Sequence, residues 1–360
     1  MAKFDGIAGL RRFPAELAAA ARGHLMVYLG AAIIFATGWI ASRLTGYSVS
    51  VSPEKFILKY ILNAALFVII GVVVIKLFRM VLVEKPASPL RAFGRWIAES
   101  VLDPRRLANG VHGSLFVFLL MGGFTLWKNQ VPRIQGFAWD NTFAALDRTL
   151  FAGVPPQDLT QYLLGNPWIT KLIDQNYVLW FPVLFASTLA VSFQPVRSFL
   201  RHRFMIALIL AWGIGGVILA NIFSSAGPVY FRKVAQGLDP YAAHFASLHT
   251  VDHMLGLEAL SLQDTLWSTY ARAQSFSSIS AFPSMHVAIA LLVFLACRHL
   301  SLGYRLASGA FAILIAIGSV HLGWHYAVDA YAGALIAVLS WWLANRVAIW
   351  DFARQGLPAH

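Results

Sequence analysis

The chain has 360 residues, of which 58% are hydrophobic and only 12% charged. A soluble domain carries about a quarter charged residues, so this composition excludes an ordinary water-soluble globule and requires lipid-facing surface. The balance of 28 basic against 16 acidic residues, formally +12, fits cytoplasmic loops against anionic lipid better than a nucleic-acid partner, because the basic residues fall in connectors between apolar runs.

About 20 mostly apolar helical residues cross a bilayer. A basic N-terminal tail (Lys3, Arg11, Arg12, Arg22) leads into the first apolar run, 24–43. That run is long and lacks a small-residue cleavage site, so it reads as a span rather than a removable signal peptide. Further spans are expected at 56–78, 111–127, 176–193, 204–222, 286–301, 305–322 and 326–346, giving an all-α integral membrane protein of about eight transmembrane helices in one bundle. Residues 84–108, rich in Arg and aromatic side chains, read equally as a helix lying on the membrane surface or as a basic connector. Two long segments, 128–175 and 223–282, share one side of the bundle, the first punctuated by Pro155-Pro156 and Asn166-Pro167. Gly213, Gly215 and Gly216 in the fifth span suit close helix contact. Cys297 is alone, so no intrachain disulfide forms.

Lys and Arg set the orientation. With the N-terminus inside, the cytoplasmic connectors hold Arg79, Lys85, Arg91, Arg95, Arg105, Arg106, Arg197, Arg201, Arg203, Arg298, Arg305, Arg346 and Arg354 besides the tail. The opposite side holds Arg43, Lys55, Lys59, Lys128, Arg133, Arg148, Lys171, Arg232, Lys233 and Arg272, at about half that density over longer loops. Both termini are therefore expected in the cytoplasm.

Three stretches can carry chemistry, and all fall on the outer face: Gly227-Pro228-Val229-Tyr230-Phe231-Arg232-Lys233, Phe282-Pro283-Ser284-Met285-His286, and His321-Leu322-Gly323-Trp324-His325-Tyr326-Ala327-Val328-Asp329. His325 and Asp329 are four apart and would share a helical face. A carboxylate on one imidazole nitrogen fixes the tautomer and frees the other as base or nucleophile. The plain alternative is a structural pair that satisfies two polar groups within a bundle, though ionisable residues in spans usually serve function. Pro283 and Ser284 open a helix whose first N–H groups suit an anion, with His286 beside them as a proton donor, or as an ordinary interfacial His after a helix cap. Arg232 and Lys233 can clamp phosphate oxygens or simply sit at the interface.

These residues resemble the type 2 phosphatidic acid phosphatase superfamily, and more narrowly its branch containing the fungal and protozoan inositol phosphorylceramide synthases. The resemblance rests on Ala226 to Phe231, on Phe282 to His286, and on His325 to Asp329 with Gly333 beyond, and it covers about residues 170–346. It implies that His325 attacks phosphorus, that Asp329 orients it, and that His286 protonates the leaving group and then activates the acceptor, with no metal or other cofactor. It also implies a six-helix core at 161–350, preceded by extra helices in 1–160 and followed by a cytoplasmic tail, 351–360. The substrate would be a phospholipid or other lipid phosphate, and the acceptor a lipid or polyol hydroxyl, or water in a phosphatase. Gly318 and Ser319 stand where the phosphatase branch has a Ser-Arg pair, and the family's Lys and Arg-Pro motif is absent around 227–233. Both departures favour the synthase-like branch. Ser284, Arg232, Lys233, His321 and Tyr230 then form the expected phosphate-binding set.

Two other readings compete. His321, His325 and Asp329, or His249 and His253 beside Asp252, have spacings that can bind zinc, but Gly323 interrupts the first set with a turn. His244, His249 and His253 read more simply as part of a surface-lying helix. A transporter would place polar groups at mid-bilayer and usually carries repeats, and neither is visible.

Overall fold

The computed structural model describes residues 11–46, 62, 66, 69–74, 76–194, 198–272 and 279–358. Among these the chain is all-helical, with no strand. Five helices are long and apolar enough to cross a membrane: Leu25–Leu44, Pro104–Ile134, Phe199–Ile222, Leu302–His321 and Ala327–Arg354. They mark the chain as a membrane protein. The expected span 56–78 lies largely outside the described residues.

We number the principal helices α1 (Phe13–Gly23), α2 (Leu25–Leu44), α3 (Pro104–Lys128), α4 (Asp140–Leu150), α5 (Pro156–Leu164), α6 (Pro167–Val178), α7 (Trp180–Ser192), α8 (Phe199–Ile222), α9 (Ala242–Leu255), α10 (Glu258–Ala271), α11 (Met285–Cys297), α12 (Leu302–His321) and α13 (Ala327–Arg354). A short helix, Pro89–Trp96, occupies the Arg-rich segment before α3.

Three boundaries differ from the expected ones for local reasons. The single span expected at 176–193 is two helices meeting at Leu179, because Pro182 in the first turn of α7 has no N–H for a bond back into α6. The span expected at 286–301 is only 13 residues long. It covers about 20 Å at 1.5 Å per residue, less than a bilayer core. Nine of its 13 residues are buried and none is exposed, so α11 is a core element rather than a lipid-facing one. The last helix runs past 350, and Asp351 and Phe352 are buried, with Asp351 at 2.9 Å from His202.

The two long segments, 128–175 and 223–282, are largely helical among the described residues. Their helices α4, α5, α9 and α10 are tied to the rest of the bundle through buried polar side chains, among them Asp147, Gln157, His244 and Asp174. Asp174 of α6 accepts the first N–H groups of α10, from Glu258 at 3.1 Å and Ala259 at 2.9 Å. His244, expected on a surface-lying helix, is buried and bonded to the His321 carbonyl at 2.9 Å, whereas His249 and His253 are exposed.

In α8, Gly215 and Gly216 permit close packing. A Cβ at 215 would stand 3.1 Å from the Met285 sulfur, and one at 216 would stand 2.8 Å from the Phe124 ring. This puts α8 tightly between α3 and the start of α11.

Candidate active site

The N-terminal ends of α11 and α13 meet where all three motif stretches converge. Ser284 caps α11, its Oγ accepting from the Val287 N–H at 3.4 Å. Its own N–H donates to the Asp329 carbonyl at 3.0 Å, tying the start of α11 to the first turn of α13. Val229 N–H donates to the Gly323 carbonyl at 3.0 Å, and Ala281 N–H to the Ser225 carbonyl at 2.8 Å. The first stretch is thereby laced to the other two through backbone. Gly227 has φ +98°, and a Cβ there would lie 2.5 Å from the Trp324 carbonyl oxygen, so only glycine fits this approach.

His325 is not in α13. It precedes the cap residue Tyr326, so the four-residue spacing acts through a capping box rather than along a helical face. Asp329 Oδ2 accepts from the Tyr326 N–H at 3.0 Å and lies 3.4 Å from His325 Nδ1. Asp329 Oδ1 is buried without a hydrogen-bond partner. Asp329 is fully buried, and His325 is 5% exposed. Its backbone is held on both sides, the N–H by the Ser319 carbonyl at 3.0 Å and the carbonyl by the Gln157 side chain at 3.2 Å. Burial, and then the charge of Lys128, pushes the His325 imidazole down to about 3, so it is neutral at pH 7.

The His286 ring faces that of His325 at 5.9 Å between centroids. Tyr177 stacks on it at 4.6 Å and Trp180 tilts against it at 4.3 Å, while Trp180 Nε1 donates to the His286 carbonyl at 2.9 Å. The structure therefore joins His286, His325 and Asp329 in one apolar-walled cluster, with Ser284 at the adjoining helix start.

It does not join the other expected phosphate ligands to them by any direct contact. The Tyr230 hydroxyl is buried and donates to the Gln263 carbonyl at 2.8 Å, with the ring on Trp267. Arg232 is exposed, and Lys233 lies 4.6 Å over the Trp267 ring. His321 Nε2 sits 3.0 Å from the Thr170 hydroxyl, on the far side of the turn through Gly323.

Three further residues at the site, Lys128, Asp140 and Asp147, lie in none of the three motif stretches. Lys128 ends α3, half-buried, with Nζ 5.7 Å from the Phe124 ring centroid, and among the described residues it has no carboxylate partner. Phe124 packs on Trp212 at 4.1 Å, and Trp212 on Trp180 at 6.4 Å, which leads to His286. Asp140 accepts from Gly227 N–H at 2.9 Å, Ala226 N–H at 2.8 Å and Tyr326 Oη at 2.7 Å. Asp147 accepts from Ala327 N–H at 2.8 Å and Val328 N–H at 3.0 Å, capping α13 where its macrodipole is positive. Burial outweighs these bonds and pushes Asp147 up to about 6, and it pushes Asp140 up as well. Sequence alone offers little signal for either carboxylate, because each lies some 180 residues from its partners on α13. The acidic positions of α4 could have been singled out only as buried carboxylates needing donors.

No curated protein and no solved structure matches the chain. A family model described as the PAP2 superfamily matches residues 141–343, more than half of the chain and every residue of the three motif stretches. The chain therefore belongs to the PAP2 superfamily, a phosphatase and phosphotransferase family.

Proposed function

We propose that the protein is a membrane phosphotransferase that acts on a lipid phosphoester through a phosphohistidine at His325 and passes the phospho-head-group to an alcohol acceptor, as in inositol phosphorylceramide synthases. The single observation that carries this reading is the approach of the His325 and His286 rings to 5.9 Å between centroids, with Asp329 Oδ2 at 3.4 Å from Nδ1 of His325.

In the first step Nδ1–H of His325 donates to Asp329, which leaves the lone pair on Nε2 as the nucleophile. Nε2 attacks phosphorus, a P–N bond forms, and the P–O bond to the leaving group breaks. His286, made cationic by the negative phosphate beside it, gives its proton to the departing oxygen. In the second step the neutral His286 takes the proton of the acceptor hydroxyl, whose oxygen attacks phosphorus and displaces His325. The 3.4 Å Nδ1 to Oδ2 separation is long, and such contacts tighten once substrate binds.

Charge on the equatorial phosphoryl oxygens needs cations and helix-start donors. Lys128 supplies the cation in place of the arginine missing at 318–319, and the first N–H groups of α11 supply the donors. Tyr177, Trp180 and Trp324 wall the histidines with apolar surface, which favours an alcohol over water at the second step. With water as acceptor the same residues would make a lipid phosphate phosphatase.

We place about eight spans in the membrane, with both termini in the cytoplasm and the histidine pair at the outer face, following the arginine bias. The test is to offer the purified protein phosphatidylinositol with ceramide or diacylglycerol, and phosphatidate in parallel. Head-group transfer that disappears in His325→Ala supports the reading. Release of inorganic phosphate alone selects the phosphatase, and full activity of His325→Ala removes the nucleophile.

A further inference from the structure

The other end of α3 holds a second polar site. A cavity of about 140 Å³ opens between α1, α3 and α8, lined by Glu16, Gly23, His24, Arg105, Asn109 and Arg201. Arg105 lies in the first turn of α3 and Lys128 ends it, so at 1.5 Å per residue roughly 35 Å of helix separates the rim of this cavity from Lys128. It lies on the face to which the arginine excess assigns the cytoplasm.

Its polar groups are built in. His24, Asn109 and Arg201 are 3%, 7% and 5% exposed. Arg201 Nη1 donates to the Gln194 carbonyl at 3.0 Å and the Ser192 carbonyl at 3.4 Å, which fixes the guanidinium. Asn109 Nδ2 donates to the same Gln194 carbonyl at 2.9 Å. Arg105 Nε donates to Glu16 Oε1 at 3.2 Å, so the lining carries two guanidiniums against one carboxylate.

His24 is the unusual member. Its Nδ1–H is turned back to the Ala20 carbonyl at 2.8 Å, and its Nε2 is buried with no partner. With Nδ1–H committed to the Ala20 carbonyl, Nε2 is a vacant acceptor. A buried polar atom left unpaired costs roughly 1–3 kcal/mol, which a ligand O–H would relieve. A ligand that suits this set has anionic oxygens for two guanidiniums and a hydroxyl for one imidazole nitrogen.

We propose that this cavity binds the phosphate and a neighbouring hydroxyl of an anionic polyol phospholipid head group, at a site separate from the histidine pair. The phosphate would engage Arg105 and Arg201, and the hydroxyl would donate to His24 Nε2. The proposal does not depend on the reaction assigned above.

The experiment measures the thermal midpoint of the full-length protein in neutral detergent. The probes are dioctanoyl-phosphatidylglycerol, dioctanoyl-phosphatidylcholine and inorganic phosphate, each titrated separately. The phosphatidylglycerol lipid is expected to raise the midpoint and the choline lipid, which has no hydroxyl, is not. Apparent affinity for phosphatidylglycerol should fall at least about tenfold in Arg105→Gln and in His24→Phe, and should persist in Lys128→Met, which alters only the distant site. Arg105 is exposed, so its variant tests the idea even if His24→Phe fails to fold. Retained affinity in Arg105→Gln, or loss in Lys128→Met, would overturn the proposal. Protection by inorganic phosphate alone would replace the lipid with a soluble anion, and no protection by any probe would remove the site.

Discussion

Gly333 lies so close to Ser284 that a Cβ at 333 would stand 2.2 Å from the Ser284 carbonyl oxygen. The residue that caps α11, two before His286, and the helix that carries Asp329 therefore touch through backbone alone. This contact sets the distance between the two histidines.

Gly333→Ala is expected to push the two helix starts apart. Overpacking of this kind costs about 1–3 kcal/mol, more than the helical propensity that alanine gains. The midpoint should fall, and turnover should fall by more than about tenfold because the histidines lose their alignment. Unchanged turnover would show that the α11 to α13 spacing does not govern the chemistry.

Lys128→Met separates catalysis from stability. Loss of a cation that stabilises phosphoryl oxygens should lower kcat/KM by about 100-fold, with part of it restored in Lys128→Arg. An unpaired, half-buried ammonium contributes little to folding, so the thermal midpoint should hold or rise in Lys128→Met. Parallel measurement of kcat/KM and midpoint checks both.

The residues of the three motif stretches were legible because proline, serine, histidine and aspartate at fixed spacing report local geometry. His286, Ser284, His325 and Asp329 all converge. The spacing of His325 and Asp329 suggested a shared helical face, whereas the chain makes a turn first and the carboxylate reaches back from the cap. Arg232 and Lys233 read as a phosphate clamp because they are adjacent cations; Arg232 is exposed and Lys233 lies over the Trp267 ring. Lys128 carried no motif; only the packing of α3 against α8 brings it near. The break at Leu179 was readable from Pro182, and the short α11 from the run of 11 apolar residues, Val287 to Cys297, before Arg298, but apolar runs alone do not separate a buried core helix from a span.

Asp147 gives a pH signature. Its carboxyl is raised to about 6 in the folded protein against 3.8 in its ordinary state. The folded state then binds more protons than the unfolded one between these values, so this group's contribution to stability is fully present below about 3.8 and is lost as pH rises through 6. The midpoint of the wild type should therefore drop more steeply between pH 4 and 7 than that of Asp147→Asn. Asn keeps one acceptor for Ala327 or Val328 and cannot titrate. Equal slopes in a calorimetric pH series would contradict the assignment.

Asp329→Asn tests the orienting role. The amide can still accept from Tyr326 N–H, so the cap survives, but a carboxylate no longer fixes the His325 tautomer. Turnover should fall by about 10²–10⁴-fold with a midpoint close to wild type. A variant that unfolds, with normal specific activity in its folded fraction, would reduce Asp329 to a helix cap.

The central claim is a covalent bond between phosphorus and His325. Rapid acid-free quenching of the protein with a phosphorus-labelled lipid substrate, followed by peptide mapping, tests it most directly. The account predicts an acid-labile, base-stable label on the peptide containing His325, absent in His325→Ala and made slower to form in His286→Ala. Sustained turnover without any label at His325, or label that persists in His325→Ala, would contradict it.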